Sequence, residues 1–154
     1  MRAQDYARSL FKHFDTEKIP VDVLELVAKL GIEFREEELI GIDGIAFKGE
    51  KTRLIIVNRT LSPERRRFVI AHELAHIVMP HKTAYQICGG ETGNRRMESD
   101  ADRFAAELIM PEETVRKQWL LYRDNKEYRI EVMADRFGVS RTAMSIRIRQ
   151  LGQK

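Results

Sequence analysis

His72–Glu73–Leu74–Ala75–His76 constrains this chain more than any other stretch, because the five residues lie in a segment whose ends are marked for a helix. Ser62 offers a capping hydroxyl, Pro63 suits the first helical position, Glu64 faces the positive end of the helix dipole, and Pro80 stops the run. The spacing predicts a helix reaching to about Met79. On a helix a step of four residues turns about 400° and rises about 6 Å, so both imidazoles leave one face and converge on one ion. Glu73 lies about 100° round from His72, within reach of a water at that ion without being forced to bind the ion. Two neutral imidazoles suit zinc, and a catalytic zinc site needs a third protein ligand and an open position.

The third ligand is expected 22 residues after His76, in Glu98–Ser99–Asp100–Ala101–Asp102–Arg103–Phe104–Ala105–Ala106. Ala101, Phe104, Ala105 and Leu108 form a stripe at helical spacing, and a step of three back from Ala101 puts Glu98 in line with that buried face. A carboxylate there is costly unless it meets a cation, and an ion held by His72 and His76 supplies one. Asp102, four residues on from Glu98, is placed to accept the second ring N–H of a ligating histidine. Asp100 points away from the stripe, so Glu98 is the preferred ligand. A His–His–Glu site implies amide hydrolysis: the ion acidifies water and polarises a carbonyl, while Glu73 takes the proton and passes it to the leaving nitrogen. His81 and Tyr85 are candidates for stabilising the second charge, with plain surface residues as the other reading. Cys88 either caps the metal in a latent form or is a passive thiol.

Elsewhere the chain reads as helices with a small sheet. Two helices are expected in the first thirty residues, one around Ala3 to Phe14 and one opening at Pro20 and closing at Gly31. Ile32 to Phe34 reads as a short strand, and Gly44 to Phe47 with Arg53 to Val57 as a hairpin. The strand Arg53 to Val57 either presents an edge to an extended substrate or is core. His81 to Asn94 reads as a loop, followed by helices from Arg95 to Ile109, from Pro111 through Tyr122, from Glu127 to Phe137 and from Arg141 to Leu151.

The 154 residues suit one domain with a single core. One cysteine excludes an internal disulfide and fits a reducing compartment. Met1 to Phe14 is broken by charges and lacks the apolar stretch of a signal peptide, and no apolar run approaches the roughly 20 residues of a membrane span, so a cytoplasmic location is expected. With no Cys pair to hold it, a metal here must be bound by His and carboxylate. Residues 123–154 hold eight Lys/Arg against four Asp/Glu, which leaves the first 122 residues at −1 of the net +3. That basic end reads either as a solvated helix face or as a surface for an acidic partner.

Taken together the motifs resemble the ImmA/IrrE family of zinc metallopeptidases. The likeness is carried by Arg67–Phe68–Val69–Ile70–Ala71 leading into the His72–His76 motif, and by Glu98-x-x-Ala101-Asp102-x-Phe104-Ala105-Ala106-x-Leu108-Ile109-Met110-Pro111. Ile19 to Asp22, Leu30–Gly31–Ile32, the Gly44 hairpin and Ile55 to Asn58 extend it over nearly the whole chain. The resemblance implies an α+β fold: a mostly helical zincin-like core of gluzincin type, with a small antiparallel sheet and a C-terminal helix-turn-helix-like pair. It implies a metallopeptidase domain over 1–122 and helix-turn-helix-like helices over 123–154, packed on the same domain. It places zinc on His72, His76 and Glu98, with Glu73 catalytic; from the donor set alone, another divalent metal such as Mn²⁺ is the alternative ion. The expected substrate is a helix-turn-helix repressor of the Xre type, cut in the cytoplasm.

The stretch from Met133 to Arg147 itself looks like a helix-turn-helix, with Gly138 at the turn and Ser140 capping its second helix. Arg141, Thr142 and Arg147 would face a groove, with weak DNA contact through Arg141, Arg147 and Arg149. Docking against the peptidase core or a protein is the other use of these helices. The alternatives for the whole chain are a DNA- or partner-binding regulator with a structural zinc site, and an amidase acting on small substrates.

Overall fold

The computed structural model describes residues 1–80, the backbone of 85–88, and residues 95–153. In chain order come α1 (Ala3–Arg8), a 3-10 turn (Phe11–His13), α2 (Val23–Lys29), β1 (Glu33–Glu37), β2 (Gly44–Lys48) and β3 (Arg53–Asn58). They are followed by α3 (Pro63–Val78), β4 (Tyr85–Cys88), α4 (Arg95–Ile109), α5 (Glu112–Leu121), α6 (Arg129–Phe137) and α7 (Arg141–Gln150). None of the described helices is long and apolar enough to cross a membrane.

Of all these elements α3 is the most enclosed, and its sequence says why. The Ser62 hydroxyl accepts from the Arg65 N–H at 3.3 Å, Pro63 opens the helix, and Met79 turns extended just before Pro80. Every residue from Val69 to Ile77 is buried, so this half of the helix has no solvent face at all. A helix buried on all sides belongs at the centre of a fold, and here α3 packs on β2 and β3 on one side and on α4 on the other. The α4 stripe of Ala101, Phe104, Ala105 and Leu108 is wholly buried. Phe104 and Leu108 each contribute about 1.5–3 kcal/mol by leaving water.

The sheet is mixed, with strand order β1-β3-β2-β4, and so corrects the antiparallel sheet expected from the sequence. The hairpin of β2 and β3 is antiparallel as expected, pairing Gly44 with Val57 and Lys48 with Arg53. β1 instead runs parallel to β3, from Glu33 against Leu54 to Glu37 against Asn58, because the chain crosses over through β2 before β3 returns beside β1. β3 is therefore interior, and of the two readings of Arg53 to Val57 the structure bears out core and not an edge. The edges are β1, whose Glu33, Arg35, Glu36 and Glu37 are exposed charges that discourage pairing with another chain, and β4.

Helix α2 starts at Val23, later than Pro20, because Asp22 accepts from the Glu25 N–H at 3.0 Å and supplies the cap. The first helix also ends early, at Arg8, with the 3-10 turn taking up the rest. The strand β4 interrupts what reads as a loop from His81 to Asn94, of which the remaining residues lie outside the described ones.

Helices α6 and α7 share the central core: Met133, Phe137, Met144 and Ile148 belong to one buried cluster with Phe104 and Leu108. Gly138 links them at φ +68°, the left-handed cap that glycine takes without strain. Arg147 corrects the expectation of a groove-facing residue. It lies on the same buried stripe as Met144 and Ile148, its side chain is 8% exposed, and it is spent on the interior. Its Nε donates to the Met110 carbonyl at 3.0 Å, and its guanidinium pairs with the buried Glu107. Arg141 remains at the surface, paired with Glu131, and Arg149 is exposed.

Candidate metal centre

The two helices that the sequence marks, α3 and α4, lie side by side and bring His72, His76 and Glu98 together. His72 and His76 are one helical turn apart, and their Nε2 atoms stand 3.3 Å from each other. Glu98, in the first turn of α4, spans the pair: Oε2 lies 2.9 Å from Nε2 of His72 and Oε1 lies 3.1 Å from Nε2 of His76. Both histidines are almost fully buried, and Glu98 is half-shielded. Three ligand atoms on a tetrahedral ion with bonds of about 2.1 Å stand about 3.4 Å from one another. The two imidazole nitrogens stand close to that separation, one ligand atom from each of the three residues lies within 4.8 Å of the other two, and two imidazoles with one carboxylate are a donor set that zinc accepts. The residues fit a metal ion.

The second nitrogen of His72 is held as well. Nδ1 donates to Oδ1 of Asp102 at 2.8 Å, one helical turn beyond Glu98. With Nε2 directed at Glu98, the metal-free ring donates from both sides, which is its charged form. Burial pulls the His72 pKa down, but the hydrogen bonds to Asp102 and Glu98 and the charge of Glu73 outweigh it, raising it from 6.5 to about 9. Burial pushes Glu98 up, and its hydrogen bonds to His72 and His76 more than reverse that, holding its carboxyl well below the usual carboxylate range.

Glu73 is wholly buried and lies between α3 and the start of β2, where its side chain rests against Gly44. Asp100 is turned away from the histidines and pairs with Arg103 at 3.0 Å. His81 and the side chains of Tyr85 and Cys88 lie outside the described residues. A groove of about 630 Å³ opens beside Asp102, between α3, α4 and α7, with Phe68, Ala106, Met110 and Ile146 among its apolar walls. The sequence reading missed two residues that shape the site. Asn58 pins the turn ahead of β2 by donating to the Leu39 and Ile42 carbonyls, and Gly44 makes room for Glu73. A glycine within an apolar strand and an asparagine at a strand end were the available signals.

A mixed α+β domain with an H-E-x-x-H helix and a carboxylate from the next helix is the class of protein this fold and site define, one with a candidate metal centre between two helices. The chain belongs to the Peptidase_M78 family, described as the IrrE N-terminal-like domain, whose model matches residues 27–149. Among solved structures it is similar to a Mycobacterium tuberculosis transcriptional regulator, with a TM-score of 0.61 at 20% identity. The match covers 95% of this chain and 46% of that one, so the present chain spans less than half the length of that regulator and shares its fold. Comparison with curated proteins finds no match in sequence.

Proposed function

We propose that this chain is a zinc-dependent endopeptidase that hydrolyses a peptide bond in a regulatory protein, with Glu73 as general base. The observation that carries the reading is the convergence of His72, His76 and Glu98, with ligand atoms within 4.8 Å of one another, and the wholly buried Glu73, which is not one of the three. Family membership supports a peptidase, and the donor set supports zinc, with Mn²⁺ able to serve. A zinc ion bound there supplies a Lewis acid that polarises a carbonyl and brings water toward neutral pKa.

The chain's own residues do the rest. His72 and His76 hold the ion as neutral rings, Asp102 keeps His72 in the tautomer that leaves Nε2 free, and Glu98 closes the set. Glu73 takes a proton from water and delivers it to the departing nitrogen. The groove beside Asp102 offers an apolar substrate segment a place next to this site.

A helix-turn-helix repressor of the Xre type is the substrate we propose, on the resemblance to the ImmA/IrrE family, and the cytoplasm is its location. The test is cleavage of such a repressor encoded beside this chain's gene. Wild-type protein with zinc is expected to cut it. Glu73→Gln should bind one zinc and cut nothing, and His72→Ala should lose both. A Glu73→Gln protein that still cleaves overturns the mechanism.

The second reading, a regulator that keeps the metal for structure, draws on the likeness to the solved transcriptional regulator. A structural site has no use for a further, non-ligating carboxylate buried beside it, and burial of Arg147 removes one of its DNA contacts. Salt-sensitive DNA binding that Glu73→Gln leaves unchanged, without cleavage, would favour it.

A further inference from the structure

Gly44 opens β2 between two partners, Val57 of β3 and Cys88 of β4, where a strand gains from a side chain and loses by having none. Its φ is not positive, so the backbone does not require glycine, and in a strand glycine is less stable than alanine. Space is the reason that remains. A β-carbon at residue 44 would lie 2.9 Å from Cγ1 of Val69, 3.0 Å from Oε1 of Glu73 and 3.1 Å from its Cγ, all on α3. Glu73 therefore occupies the volume that any other residue's Cβ would fill. Ala46, two residues on and on the same face, continues the shallow floor that lets α3 come this close.

The floor cannot easily give way. The Asn58 N–H donates to the Asp43 carbonyl at 2.9 Å, and its side-chain amide donates to Ile42 at 3.0 Å, which fixes the chain immediately before Gly44. Val69, the other side chain that a β-carbon at residue 44 would meet, is buried in the core at 3% exposure.

We infer that Gly44 is a positioning residue for Glu73: the bare backbone of β2 is the wall against which the carboxylate is held beside His72. The inference rests on the reading of Glu73 as the general base. A base must stay within hydrogen-bonding reach of the proton it takes, and a displacement of a fraction of an ångström is costly. A methyl group at residue 44 moves the carboxylate without touching any of the three ligands.

The test uses the full chain loaded with cobalt(II), whose visible absorption reports ligation, and acetohydroxamate as the probe. A hydroxamic acid chelates a metal through two oxygens and gives its proton to a neighbouring base, so its affinity reads where that base stands. Gly44→Ala is expected to bind one metal per chain, as wild type does, and to bind acetohydroxamate about tenfold more weakly. In a Glu73→Gln background the same change at residue 44 should alter the affinity by less than about twofold, because its effect runs through the carboxylate. Val69→Ala added to Gly44→Ala removes the other overlap and restores fold stability, and the deficit should remain.

The proposal is overturned if Gly44→Ala binds the probe as wild type does, or if the deficit persists in the Glu73→Gln background. It is also overturned if Val69→Ala abolishes the deficit, or if both Gly44→Ala and the Val69-relieved protein lose the metal, since the role is then structural. Glu73→Gln alone leaving the affinity unchanged is a different failure, of the general-base reading itself.

Discussion

Asp102 accepts from Nδ1 of His72 at 2.8 Å, on the edge of the ring opposite the nitrogen that meets Glu98. The aspartate is 60% exposed at its side chain, and its worth lies in how it aims the histidine and favours its charged form. Asp102→Ala is expected to weaken zinc binding by about 10–100-fold and to lower the melting temperature of the metal-free protein at neutral pH. Competition against a chelating dye measures the first and a thermal scan the second. Unchanged zinc affinity would show that His72 is oriented by packing alone.

The charged state of metal-free His72 makes the site's behaviour depend on pH. Its pKa is raised to about 9, so the stability it contributes is present in full below its ordinary value of 6.5 and drains away as pH climbs to about 9. Glu98 has the opposite sign: its pKa is depressed, so its contribution is present above 4.5 and is lost in acid. Zinc must displace the proton on Nε2 of His72, so its affinity should rise about tenfold per pH unit from 7 toward 9 and then level off. Thermal scans with zinc and with EDTA from pH 6.5 to 9 test this. The gap between the two melting temperatures should widen with pH, and a gap that narrows contradicts the assignment.

Arg147 and Glu107 form a buried ion pair between α7 and α4, and Glu107 also accepts from Arg8 Nε at 3.3 Å. Removing Arg147 leaves the buried Glu107 with the more distant, half-exposed Arg8 as its cation, which costs up to about 3–5 kcal/mol. Arg147→Ala should accordingly lower the melting temperature on the order of 10 °C. At moderate temperature it should still bind one zinc, because none of the ligands touches the pair. The double change Glu107→Leu and Arg147→Met should recover much of the loss, since two apolar groups of similar size need no partner. If Arg147→Ala costs nothing, α7 is not held to α4 in the way described.

The residues that spacing alone brings together were legible in the sequence. His72 and His76 depend on a step of four within one helix, and Glu98 and Asp102 on the phase of one apolar stripe, both of which are local. What could not be read depends on the other side of a contact. β1 runs parallel to β3 only because the chain returns through β2, and β4 hides in a stretch rich in glycine and polar residues. Arg147 reads as a basic surface residue until the buried Glu107, 40 positions away, is seen to claim it. Gly44 looks like punctuation at a strand's start until Glu73 is found in the space it leaves.

Asn58 holds together the turn that leads into the site, and its chemistry can be tested by rank order. Its amide donates to the Leu39 and Ile42 carbonyls at 2.8 and 3.0 Å, and its own carbonyl accepts from the Thr60 N–H and hydroxyl. Asn58→Ala leaves those two carbonyls without their donor and should cost about 1–3 kcal/mol, read as a lower urea midpoint. Asn58→Asp keeps the acceptor but turns a negative oxygen toward the same carbonyls, so at neutral pH it should be less stable than Asn58→Ala. A carboxyl group facing two acceptors is held above the usual carboxylate range, and once protonated it can donate as the amide does. The Asp variant should therefore regain stability relative to the Ala variant as pH falls toward 5, which is the reverse of ordinary acid destabilisation. Equal midpoints for wild type and Asn58→Asp at neutral pH would show that the two carbonyls do not depend on this amide.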